Sequence, residues 1–235
     1  MADNSVIGNI RTVTGSEFGS NFQEVTPESH PELSSSVDKI VDGMNEAFPD
    51  NPIEKPVVLV SDNKTNHAWR LNDRDISDKQ VLVLSEGIVK DGITPNVEHT
   101  VAHELGHSHH NARDINVPEP HIDKDASAIQ KLASNVRHEV RGSAGHSQQR
   151  EYDADYRAAK TIGVDKVIEG LEKSDADLAS PLRKLEAAVA GTHPKTSERI
   201  EAMETLRDKG DHAHEEFVQK KTHLKYDHQS LRHNE

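Results

Sequence analysis

Hydrophobic positions in this chain fall into short, separated groups, and their spacing changes along its length. Val37, Ile40, Val41 and Met44 recur at helical intervals and predict a helix over Ser36–Phe48, ended by the Pro49–Pro56 stretch. Val57-Val58-Leu59-Val60 is an unbroken β-favouring run and predicts a buried strand. Further short strands are expected at His67–Leu71 and Val81–Leu84. Thr94-Pro95 is a helix-entry signal: the threonine can cap, and proline at the first helical position has no N–H to leave unsatisfied. That helix should run to about His110. Helices are also expected over Lys124–Arg141, from near Ser147 to just before Gly163, over Val164–Leu171, over Pro181–Ala190 behind Ser180, and over Thr196–Lys209. Short strands followed by many helices predict an α+β fold, with a small mixed or antiparallel sheet beside a mostly helical body.

The two ends read differently. Residues 1–35 are polar, with Phe18 and Phe22 as their aromatics, and predict a flexible extension. Residues 210–235 are charged and rich in histidine, and predict a tail or an exposed helix. The folded domain is therefore expected over residues 36–209.

Composition narrows the function. A net charge of -13 disfavours nucleic-acid binding and docking on anionic membranes, both of which need lysine and arginine. The chain has no cysteine, which excludes disulfide frameworks, thiolate zinc sites and thiol nucleophiles. No run approaches the ~18 apolar residues of a membrane span. Met1–Arg11 lacks a basic start followed by an apolar stretch, so the expected location is the cytoplasm as synthesised, with export by a non-Sec route left open.

His103-Glu104-Leu105-Gly106-His107 matches H-E-x-x-H. Two histidines four residues apart lie about 40° apart on a helix, so both rings reach one metal, and the intervening glutamate can take a proton from water there. With 16 histidines in the chain, chance gives roughly 0.1 such matches, so context has to carry the reading. The helix supplies it. Val97, Val101, Leu105 and Ala112 form one face, while His99, His103, His107 and His110 form the opposite one. Thr100 follows His99, so the His99/His103 pair has no base in the right place. Gly106 inside the helix costs about 1 kcal/mol relative to alanine, which suits a position where another segment passes close by.

Catalytic zinc takes three protein ligands, so a third must come from elsewhere. The position six residues after His107 is Arg113. Glu151-Tyr152-Asp153-Ala154-Asp155 offers acids instead. On a helical wheel Glu151 and Asp155 share a face with Ala158 and Ile162, and Asp153 falls opposite, beside Arg157 and Lys160. Glu151 is the expected third ligand, Asp155 the expected acceptor of a ligand histidine's N–H, and Asp153 an outer-face residue. An acidic surface helix has the same pattern, and helical geometry alone does not separate the two.

Three separated motifs resemble those of the gluzincin metallopeptidases that include the CAAX prenyl proteases and the bacterial HtpX-like heat-shock peptidases. They are Thr94-Pro95 through Ala102-His103-Glu104-Leu105-Gly106-His107, then Glu151-Tyr152-Asp153-Ala154-Asp155, then Thr192-His193-Pro194 followed by Thr196, Glu198, Arg199 and Ile200. The resemblance spans about Val37 to Leu206. It implies a zincin-type endopeptidase with one Zn2+ per chain and a peptide or protein substrate. It implies His193 near the site, either as an oxyanion donor or as part of a structural turn. It also implies Asn66 and Ala68 on a substrate-side edge strand. The chain departs from the family where membrane helices often separate the motifs, where His67 interrupts the asparagine–alanine pair, and where Arg157 lies two residues after Asp155 rather than next to it. A non-catalytic zinc-binding interaction module and a secreted effector protease are the competing readings.

Overall fold

The computed structural model describes residues 19–64, 68–71, 80–109, 147–177 and 194–226. The order of elements is β1 (Phe22–Glu24), α1 (Pro31–Ala47), β2 (Val57–Ser61), β3 (Ala68–Leu71), β4 (Val81–Ser85), α2 (Glu86–Val89) and α3 (Pro95–Gly106). A single 3-10 turn, His107–His109, follows α3. Then come α4 (residues 147–162), α5 (Val164–Asp177), α6 (Thr196–Lys209) and α7 (Asp211–Thr222). The fold is α+β and mostly helical. No helix among the described residues is long and apolar enough to cross a membrane. The helices expected at Lys124–Arg141 and Pro181–Ala190, together with Asn66 and His193, lie outside the described residues.

The sheet has the order β1-β2-β4-β3 and is mixed. β2 and β4 run parallel, in the register Val57↔Val81 to Ser61↔Ser85. β1 pairs antiparallel with β2, and β3 antiparallel with β4 from Ala68↔Leu84 to Leu71↔Val81. All five residues of β4 are buried, as its unbroken apolar run requires of a central strand. β3 closes one end of the sheet and lies beside α3.

One core joins the layers. Val37, Ile40, Val41 and Met44 of α1 pack with Val58, Leu82 and Leu84 of the sheet and with Val97, Val101 and Leu105 of α3. The apolar face expected for α3 is thus the buried one. The Thr94 hydroxyl accepts from Val97 N at 3.4 Å, and Pro95 starts the helix as expected.

Several boundaries differ from the sequence-based expectation. α1 begins at Pro31 instead of Ser36, because proline opens the helix and Leu33 and Ser34 are already buried. Phe22–Glu24 pairs with β2 although it falls in the expected extension. α3 ends at Gly106 instead of His110, and α5 runs on to Asp177. The segment expected to be a tail or an exposed helix contains α7, which is not wholly exposed: it buries His214 and Val218, and Tyr226 is buried after it. Those side chains cover α4. Tyr156 stacks on His214 at 5.5 Å between centroids, and Tyr152 meets Phe217 edge-on at 6.1 Å.

α4 is the buried axis of the helical body. Residues 151–159 are all buried, including Glu151, Asp153, Asp155 and Arg157. Charges in such a place need partners: Asp155 takes Arg199 of α6, and Asp153 takes Arg157 of its own helix and the Tyr226 hydroxyl beyond α7.

Candidate metal centre

α3 and α4 meet at a glycine. A Cβ at Gly106 would stand 2.9 Å from the Ala154 carbonyl oxygen and 3.0 Å from its Cα. The close approach expected at this position is therefore made by the backbone of α4. It brings the histidine face of α3 against the acidic face of α4.

His103 Nε2 lies 3.1 Å from His107 Nε2 and 3.4 Å from Glu151 Oε2, and His107 Nε2 lies 3.4 Å from Glu151 Oε1. Two zinc ligands with bonds near 2.05 Å at the tetrahedral angle stand about 3.3 Å apart. The spacing of the three donor atoms fits one such ion, and two imidazoles with one carboxylate suit zinc chemically. These residues form one of two groups among the described residues whose ligand atoms lie within 4.8 Å of one another.

Asp155 stands behind this group and is fully buried. Its Oδ1 is 2.8 Å from His103 Nδ1 and 3.3 Å from His99 Nε2. An ionised carboxylate only accepts, so both ring nitrogens donate. That keeps a proton on Nδ1, so that Nε2, once it gives up its own proton, presents its lone pair toward His107 and Glu151. Arg199 of α6 donates to Asp155 twice, Nε to Oδ2 and Nη2 to Oδ1, each at 2.6 Å. Arg199 Nη2 also lies 3.1 Å from His103 Nδ1, and Nη1 lies 3.9 Å from Glu151 Oε2.

The electrostatics follow from this packing. Burial raises the cost of charge on Asp155, but Arg199 and then His103 outweigh it and hold the carboxyl well below its ordinary range. Burial and the Arg199 charge push the His103 imidazole down, while Asp155 and Glu151 push it up by more, and the balance lies at about 9. His99 is driven the other way, chiefly by burial, and stays neutral. Its Nδ1 is buried without a hydrogen-bond partner, and its ring abuts Gly170 of α5, where a Cβ would come within 2.5 Å of His99 Cβ.

The second group, His99, His103 and Asp155, also lies within reach of one cation. Arg199 already places its positive charge on that carboxylate, so the first group is the better cation site. His99, on the histidine face of α3, is a buried partner of Asp155. Asp153, expected on the outer face, is fully buried, with Arg157 Nε at 2.6 Å and the Tyr226 hydroxyl at 3.0 Å.

The fold brings His103, His107, Glu151 and Asp155 together. Glu104 is half-buried on the same helix and contributes to the negative field around Arg199. Ala68 begins β3, beside α3. Arg199 is a residue of the site that sequence patterning alone does not single out. The signal was indirect: a carboxylate placed to receive a histidine N–H in a buried helix needs a cation, and Arg199 is the arginine of the third motif.

No family model matches the chain, and no curated protein matches it. Among solved structures it is similar to the crystal structure of S. mikatae Ste24p, at 17% sequence identity and a TM-score of 0.49. The similarity covers 84% of this chain and 55% of that one, so the chain spans about half the length of that protein.

Proposed function

We propose that this chain is a zinc-dependent endopeptidase of the gluzincin kind. The observation that carries the proposal is the convergence of His103 Nε2, His107 Nε2 and the Glu151 carboxylate at 3.1–3.4 Å, the edge length of one zinc tetrahedron. Among the described residues this group has three protein donors, and a closed structural zinc site uses four. The glutamate following the first histidine favours catalysis over a passive metal module, which has no use for a base.

Bound zinc supplies Lewis acidity, which lowers the pKa of a water and polarises a carbonyl. The chain's own residues supply the rest. Glu104 accepts the proton of the attacking water and returns it to the leaving amine. Asp155 fixes the tautomer and ring plane of His103, and Arg199 keeps Asp155 ionised. The substrate backbone pairs in extended form along β3 from Ala68, and Asn66 is a further substrate contact. His193 donates to the oxyanion.

The test is Glu104→Gln, assayed on a denatured protein mixture by counting new N-termini. The variant keeps its zinc and loses cleavage by about 100-fold or more. Full activity in Glu104→Gln, or cleavage that survives removal of zinc by a chelator, overturns the proposal.

A further inference from the structure

The acidic helix carries a charge that the proposed reaction does not use. Asp153 lies on the face of α4 opposite Glu151 and Asp155, and it is as fully buried as Asp155. Its Oδ2 accepts from Arg157 Nε at 2.6 Å, one turn on along the same helix. Its Oδ1 accepts from the Tyr226 hydroxyl at 3.0 Å, from a residue 73 positions further along the chain. The Arg157 guanidinium lies 4.7 Å from the centroid of the Phe48 ring, which closes that side.

A second set of bonds reaches the same helix two residues before Glu151. The Gln149 side-chain amide donates to Thr222 Oγ1 at 3.3 Å, to the Leu224 carbonyl at 3.3 Å and to the Lys225 carbonyl at 3.1 Å. The Gln219 amide holds the Tyr226 carbonyl at 2.8 Å. Residues 219–226 therefore grip α4 at Gln149 and at Asp153, on either side of Glu151 in sequence.

This grip constrains rotation about the helix axis. Translation of α4 toward α3 is blocked where Ala154 meets Gly106. Rotation is not blocked by that contact, because a glycine surface is smooth. A side-chain tip about 5–6 Å from a helix axis moves about 1 Å for a turn of roughly 10°. Metal sites tolerate about 0.2 Å in ligand distance, so the azimuth of α4 decides whether Glu151 reaches the ion. Arg199 holds one face of the helix through Asp155, and the Tyr226 hydroxyl holds the other through Asp153.

We infer that the segment following α7 is a strap that sets the azimuth of the ligand helix, with Tyr226 as a positioning residue for Glu151. The inference rests on the proposed zinc site. Tyr226 touches neither metal nor substrate. It acts through Asp153 on the helix that carries the ligand. The segment that sequence composition marks as a tail or an exposed helix thereby supports the metal site.

The test uses the full chain and needs no substrate. Zinc affinity is measured by competition with a chromophoric chelator, and coordination is read from the visible spectrum of the Co(II)-loaded protein. Wild type, Tyr226→Phe and Val218→Ala are compared, with thermal melts of the metal-free proteins alongside. Val218 is buried in α7 and its side chain carries no polar group, so Val218→Ala destabilises the segment without cutting the strap. The expected result is a loss of zinc affinity of about tenfold or more in Tyr226→Phe, with a changed Co(II) spectrum. Val218→Ala should melt at a lower temperature and keep wild-type affinity and spectrum. Unchanged affinity and spectrum in Tyr226→Phe, or an equal loss in Val218→Ala, overturns the strap while leaving the site reading intact. A wild-type chain that binds no zinc overturns the site reading and the strap with it.

Discussion

Gly106 and Ala154 touch backbone to backbone, with only 2.9 Å between the Ala154 carbonyl oxygen and the place where a Cβ on Gly106 would stand. This contact joins the two halves of the candidate site, since His103 and His107 belong to one helix and Glu151 to the other. Gly106→Ala separates two opposing effects. Helix propensity alone favours alanine by about 1 kcal/mol. Overpacking against a backbone that cannot yield costs about 1–3 kcal/mol and pushes the helices apart. The expected outcome is a lower melting temperature and a zinc affinity reduced by tenfold or more, checked by calorimetry and chelator competition. A more stable variant with unchanged zinc binding would mean that the helices can part without cost to the site.

Asp155 is the node between Arg199, His99 and His103. Asp155→Ala removes the partner of a guanidinium that is largely buried, and stranding such a charge costs about 3–5 kcal/mol. Asp155→Asn keeps the shape, loses the charge, and frees the His103 tautomer. It should fold with smaller loss of stability than Asp155→Ala and bind zinc about 10–100-fold more weakly than wild type. Denaturant melts of both variants, with zinc titrations of Asp155→Asn, check the two effects separately.

The titration of His103 and His99 predicts how the metal-free protein responds to pH. His103 is raised from 6.5 to about 9, so its contribution is full below 6.5 and is lost progressively as pH rises to about 9. His99 is lowered from 6.5, chiefly by burial, so its cost appears as pH falls below 6.5, where the unfolded chain takes up the proton and the folded chain does not. For these two groups the metal-free protein is most stable near pH 6.5. Zinc competes with the His103 proton, so its affinity rises roughly tenfold per pH unit over this alkaline range, and its stabilising effect grows with pH. Melting curves from pH 5 to 10, in chelator and in zinc, measure both limbs. A zinc-induced stabilisation that is flat with pH would contradict the His103 assignment.

Much of this arrangement is legible in the sequence, and the exceptions share a cause. The apolar face of α3, its start at Thr94-Pro95, the meaning of Gly106, and the shared face of Glu151 and Asp155 all follow from local periodicity. Local periodicity gives the azimuth of a residue but not what lies across from it. Asp153 shares a face with Arg157 and Lys160, and on a surface helix that face would be solvated. Here Phe48 and Tyr226, distant in sequence, cover it. The buried face of α7 is hidden in the sequence for a related reason. His214, Val218 and Thr222 repeat every four residues, but two of the three are polar, and their burial depends on Tyr156 and Gln149 of α4. Arg199 lay inside a recognised motif, yet its role needed the distance to Asp155.

The most direct test of the central claim is zinc content per chain by elemental analysis, on wild type and Glu151→Ala purified without a metal column. One zinc per wild-type chain is expected, with loss of that zinc in Glu151→Ala and both proteins folded. Equal zinc in the two proteins, or none in the wild type, would contradict the His103–His107–Glu151 site.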